Sequence, residues 1–144
     1  MQYPIGKRNI LKANMFIHDY VKTDVEKHHA IKVSMIIWKL TYNEDLTAAA
    51  LLHDILEDTD VTYEQLKEEF GTTIADLVNE VTHEGKPDTK GYYFPRLKTQ
   101  EGYMIKFADR LHNLSRMKEL SEGKQKHYLK TSRFWRKEEK VLAK

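Results

Sequence analysis

Cysteine is absent from the 144-residue chain. No disulfide framework can form, and thiolate catalysis or thiolate metal binding is excluded. Long apolar runs are also missing. The longest are VSMIIW and AAALL, far short of the roughly 18 residues that a membrane-spanning helix needs. The opening MQYPIGKRNILK has no apolar core of a signal peptide. The expectation is a cytoplasmic soluble protein with no membrane partner. Sustained period-2 alternation is lacking, so almost no sheet is expected. Glycine and proline number six and three. Two of each fall in EGKPDTKGYYFP, residues 84–95, which reads as a loop.

What is present has helical periodicity. The length fits one domain over residues 1–144, and a hydrophobic fraction of 40% suffices for a core. Helices are expected over about 7–22, 24–41 (Asp24 as N-cap), 44–58 (Asn43 as cap) and 62–71 (Thr62 with Gln65 as a capping box). Others are expected over about 73–84, 96–120 and the tail, 123–144. The product is an all-α bundle of six to seven helices. The net charge of +2 is unevenly spread. From Gly123 to Lys144 there are eight Lys/Arg against two Glu, so the rest of the chain carries −4. That tail fits a solvated amphipathic helix, with Tyr128, Phe134, Trp135 and Val141 inward. A nucleic-acid contact is the less favoured alternative.

One stretch conflicts with simple burial. LLHDILEDTDVT places His53, Asp54, Glu57 and Asp58 within two helical turns, directly after TAAA. On a continuous helix, His53 stacks on Glu57 and Asp54 on Asp58, about 100° apart. Three carboxylates then crowd together, two of them in a last turn where the helix dipole disfavours negative charge. Ionised groups buried without partners cost several kcal/mol. A divalent cation would supply the missing charge; simple solvation of the acids is the alternative. Further ligands are available in KHHAIKV (His28, His29) and in IKFADRLHN, where Asp109 sits among Phe107, Ala108 and Leu111. Imidazole and carboxylate together suit a borderline transition metal. Lys106 and Arg110 can pair with Asp109 or neutralise a phosphate. HExxH and CxxC are both absent.

A His, an adjacent His-Asp and a distant Asp resemble the pattern of the HD superfamily of metal-dependent phosphohydrolases. ALLHDILEDTDVTYEQLKEEFGTTIADLVNEVTH followed by IKFADRLHNL is similar to the hydrolase domain of RelA/SpoT homologues, particularly the small alarmone hydrolases. The similarity covers about residues 28–115. It implies an HD-domain helical bundle holding one divalent metal ion, usually Mn2+. By position the resemblance makes His29, His53, Asp54 and Asp109 the ligands. His29 is chosen over His28 because the family's first His stands four residues before a Val, here Val33. The resemblance makes Glu57 and Asp58 the pair that activates water, and Asn113 a nucleotide contact. It implies removal of the 3′-pyrophosphate from (p)ppGpp.

The family's Arg-Lys-Ser-Gly-like loop before the first His has no match in DYVKTDVEKHHA, where Lys22 is the one possible remnant. Tyr92, Tyr93 and Phe94 offer a stacking surface for a base or simply pin their loop. The alternatives are therefore an HD nucleotidase or phosphodiesterase of other specificity, or a nucleotide-binding protein without catalysis.

Overall fold

The computed structural model describes Pro4, residues 6–82 and residues 97–126. The loop carrying Tyr92, Tyr93 and Phe94, and the tail beyond residue 126, lie outside the described residues. Among the described residues there are helices and turns and no strand. The helices are α1 (Arg8–Tyr20), α2 (Asp24–Thr41), α3 (Glu44–Leu51), α4 (Ile55–Asp58), α5 (Tyr63–Phe70), α6 (Thr72–Glu80) and α7 (Gln100–Ser115). A 3-10 turn over Met117–Glu119 follows. Among the described residues no helix is long and apolar enough to cross a membrane.

Capping chemistry sets most of the boundaries. Asn43 accepts the Leu46 N–H at 3.0 Å and starts α3. Thr62 and Gln65 form the reciprocal capping box of α5. Thr23 rather than Asp24 caps α2, because its hydroxyl takes the Glu26 N–H at 3.1 Å and leaves Asp24 as the first helical residue. Gly71 closes α5 and opens α6 with φ of 90° and ψ of 170°. An L side chain rarely reaches that conformation. The N-terminal end of α6 is therefore one residue earlier than the Thr73 expectation, and it lacks a side-chain cap.

The core centres on α3, whose Leu46 to Leu51 are all buried. Three consecutive alanines, Ala48 to Ala50, are fully buried and allow close approach of α1, α2 and α6 on different sides. In turn α2 also packs on α7. The histidines and acids of α2, of the α3–α4 junction and of α7 thereby meet on one side of this core.

Candidate metal centre

The expected single helix over 44–58 is interrupted. Residues 52–54 form a turn between α3 and α4. Leu52 (φ −93°, ψ 3°) and Asp54 (φ −101°, ψ 0°) occupy the bridge region. Hydrogen bonds tighten to i+3 spacing, His53 N–H to Ala50 at 3.3 Å and Ile55 N–H to Leu52 at 3.0 Å. The His53 side chain also donates Nδ1–H to the Ala50 carbonyl at 2.7 Å. A carbonyl only accepts, so the proton is on Nδ1 and Nε2 is left to face the centre.

Four donors converge there. His29, His53, Asp54 and Asp109 each offer an atom, and these atoms lie within 4.8 Å of one another. His29 Nε2 is 2.7 Å from Asp109 Oδ1 and 3.8 Å from Asp54 Oδ2. His53 Nε2 is 3.0 Å from Asp54 Oδ2 and 3.3 Å from Asp109 Oδ1. It is fully buried and makes no hydrogen bond among the described residues. Two carboxylates around one buried imidazole nitrogen need positive charge, from a proton on that nitrogen or from a cation standing between them. Ligand bonds of about 2.1 Å place donors within roughly 4 Å of each other, so the cluster fits one divalent ion with little contraction.

The electrostatics reflect the same frustration. Burial opposes charge on His53, yet Asp54 and Asp109 outweigh it and raise its pKa well above the ordinary value. Burial likewise opposes charge on Asp109, but Lys106, His29 and His53 hold its carboxyl far below the usual range. Lys106 Nζ donates to Asp109 Oδ2 at 2.9 Å, and both residues are buried. Asp58 differs: burial, reinforced by Asp54, Glu26 and Glu57, pushes it up to about 6.

A cavity of about 390 Å³ opens beside the four donors. It is lined by His29, Asp54 and Asp109, and also by Asp58 and Asn113. Glu57 is exposed and is not among its lining residues. Lys22, Lys106 and Arg110 do not line it either. Lys22 is exposed between α1 and α2, whereas Lys106 and Arg110 are buried. Asn113 links two groups, donating Nδ2–H to Asp109 Oδ1 at 3.1 Å and accepting from Arg116 through Oδ1.

Two residues escaped the sequence reading. His112 Nδ1 lies 2.6 Å from His29 Nδ1, with the rings stacked at 4.9 Å. Burial and the neighbouring His29, Arg116, His28 and Lys32 push His112 down to about 4, so it is neutral at pH 7. When His29 presents Nε2 to a cation, its Nδ1–H must donate, and His112 is the acceptor in place. The signal was available: His112 stands three residues after Asp109 on α7, on a neighbouring part of the same face. Arg116 also lines the cavity. It stands seven residues after Asp109, two full turns along one stripe.

An all-helical domain in which two histidines and two aspartates from separate segments meet at a cavity has the architecture of an HD-type metal-binding fold. The HD-domain family model matches residues 18–88 of the chain. It is 37% identical over 110 residues to the guanosine-3′,5′-bis(diphosphate) 3′-pyrophosphohydrolase of Aquifex aeolicus, covering 71% of this chain and 16% of that protein. The Haemophilus influenzae protein of the same name is 33% identical over 113 residues, covering 71% of this chain and 17% of that one. The chain thus spans about a sixth of the length of these curated relatives. A solved structure described as a metazoan ortholog of SpoT that hydrolyses ppGpp superposes with a TM-score of 0.63. The two are 24% identical, over 89% of this chain and 82% of the other.

Proposed function

We propose that the protein is a metal-dependent pyrophosphohydrolase that removes the 3′-pyrophosphate from (p)ppGpp or a related nucleotide. The observation that carries the reading is the meeting of His29, His53, Asp54 and Asp109 at a cavity that also takes in Asp58. The activity for which the Aquifex and Haemophilus relatives are named supports ppGpp as the first substrate to try. The four side chains are the proposed ligands of one divalent ion, Mn2+ by resemblance, and the site of action is the cytoplasm.

A cation held there lowers the pKa of water and offsets charge on phosphoryl oxygens. The chain's own groups do the rest. Asp58, with a pKa near 6, is placed to accept the proton of the attacking water at neutral pH. Exposed Glu57 is its proposed partner. The water oxygen bonds to the phosphorus next to the 3′ oxygen, the P–O3′ bond breaks, and the 3′ oxygen takes up a proton. Pyrophosphate and the 5′-phosphorylated nucleoside leave.

A second reading, an HD nucleotidase or phosphodiesterase, is favoured by one feature of the cavity. The segment before His29 contributes Val21, Thr23, Val25 and Glu26 to its wall, an apolar and acidic set. No cation comes from that segment to meet phosphates.

The test is purified protein with Mn2+ and ppGpp. Pyrophosphate should appear with GDP, one for one. Asp58→Asn should lower kcat by roughly 10²–10⁴-fold while Mn2+ stays bound, and Asp54→Asn should lose the metal. No pyrophosphate release at micromolar enzyme, together with turnover of another compound in a nucleotide panel, would transfer the assignment to the second reading.

A further inference from the structure

Among the described residues the cavity has two basic side chains in its lining beyond the donor cluster, Arg116 and Lys124. We infer that Arg116 and Lys124 form a subsite for a second phosphoryl group of the substrate, set apart from the group that is cleaved. The inference rests on the hydrolase reading and narrows the substrate class to nucleotides that carry anionic groups on two arms.

Placement is the first argument. Asp109, Asn113 and Arg116 form one stripe of α7 and its C-cap, and all three line the cavity. The seven residues from Asp109 to Arg116 span about 10 Å along the helix axis. One extended ligand can therefore touch the donor cluster and the guanidinium at the same time.

Orientation is the second. Both Nε–H and Nη2–H of Arg116 donate to Asn113 Oδ1, at 3.0 and 2.7 Å. Asn113 is itself held by Asp109 Oδ1. The guanidinium is thus fixed through one amide to the carboxylate of the donor cluster. It has five N–H groups, so three remain after the two given to Asn113. Among the described residues neither Arg116 nor Lys124 has a carboxylate within 4.0 Å. A half-buried guanidinium held in place and without an anion suits a phosphoryl group, which it can meet with two parallel hydrogen bonds. Lys124 adds a mobile charge to the same wall. Its backbone N–H is bound by the Ser121 hydroxyl at 3.2 Å, a local turn in which both residues line the cavity.

Binding can be read without turnover. The full chain in EDTA is titrated by calorimetry with GDP, and with pyrophosphate as a probe that has no base. Wild type should bind both, and Arg116→Gln should weaken each by roughly 10- to 100-fold, the loss of a charge-assisted hydrogen-bonded pair. Arg116→Lys should recover part of the loss. Lys124→Ala, at an exposed position that tolerates truncation, should weaken binding several-fold and serves if Arg116→Gln melts early. With Mn2+ and ppGpp, Arg116→Gln should raise KM far more than it lowers kcat and leave Mn2+ affinity unchanged. The subsite is refuted if wild type binds neither probe at millimolar concentration. It is equally refuted if Arg116→Gln and Lys124→Ala both bind like wild type, or if Arg116→Gln loses Mn2+ instead. Normal probe binding without any pyrophosphate release from ppGpp would sink the hydrolase reading and leave the subsite standing.

Discussion

His112 shows how much one neutral imidazole decides. Its Nδ1 lies 2.6 Å from that of His29, where most metal-bound histidines meet a carboxylate or carbonyl. Removing it leaves the Nδ1–H of His29 buried without an acceptor and frees the ring to turn. His112→Ala should therefore weaken Mn2+ binding by roughly 10- to 100-fold, measured by calorimetry in the absence of nucleotide. His112→Gln, which retains an acceptor oxygen, should recover much of that affinity. Equal Mn2+ affinity in wild type and His112→Ala would show that the contact plays no part in orienting His29. Residue type and order pointed to a His, a His-Asp and a distant Asp but left His28 and His29 as alternatives, and it was the family resemblance that singled out His29. Of the cations, Lys106 was offered both as a partner of Asp109 and as a phosphate contact, and Arg116 was missed. Lys106 and Arg116 lie three residues before and seven after Asp109, and spacing puts both on its side of the helix. The first lies buried against Asp109 where α7 runs into the core, and the second reaches the open end. Periodicity gives direction around a helix and says nothing of depth along it.

At the level of elements, local chemistry predicted what local chemistry controls. The Asn43 cap and the Thr62–Gln65 box are short-range signals and appear where expected. The break at residues 52–54 was invisible because Leu, His and Asp all tolerate helix. It follows from the His53 ring taking the Ala50 carbonyl, and it separates Glu57 from the cavity while Asp58 remains in it. The start of α7 was likewise set from outside. Glu80, at the end of α6, accepts the N–H groups of Lys98 and Thr99 at 2.9 and 2.8 Å and the Thr99 hydroxyl at 2.9 Å. Thr99 in turn caps the helix through Gly102 N–H. The helix therefore begins at Gln100 rather than near residue 96. Gly102 is buried, and a Cβ there would collide with the Glu80 carboxylate. Glycine to alanine inside a helix ordinarily stabilises by about 1 kcal/mol. Here the sign should reverse: Gly102→Ala must expel Glu80 from its three bonds and should cost about 1–2 kcal/mol, the value of a lost cap. Denaturant melts decide between the signs, and a gain in stability would mean that Glu80 moves aside freely.

For the whole molecule the donor cluster is a point of repulsion at the meeting of three parts of the core. Asp54 and Asp109 face the unpartnered Nε2 of His53, with Asp58 close by. Without a cation, protons and Lys106 are left to relieve that charge, and the chain folds against it. An ion that binds only the folded state stabilises it by about 2.7 kcal/mol at 100 times its Kd, so Mn2+ added to metal-stripped protein should raise Tm by several degrees. The size of the rise matters less than its dependence on single ligands. Asp109 is a poor choice for that control. It neutralises buried Lys106, and Asp109→Asn would leave that ammonium unpaired at about 3–5 kcal/mol, obscuring any effect of metal. Asp54 is the better one, because its side chain is 35% exposed and its loss leaves His53 still beside Asp109, at 3.3 Å. Asp54→Asn should melt a little below the stripped wild type, since His53 loses one of its two carboxylate neighbours, and Mn2+ should no longer shift it. An Asp54→Asn protein that still gains the full increment would mean that the ion binds elsewhere on the molecule and that the convergence of α2, the α3–α4 turn and α7 does not hold it.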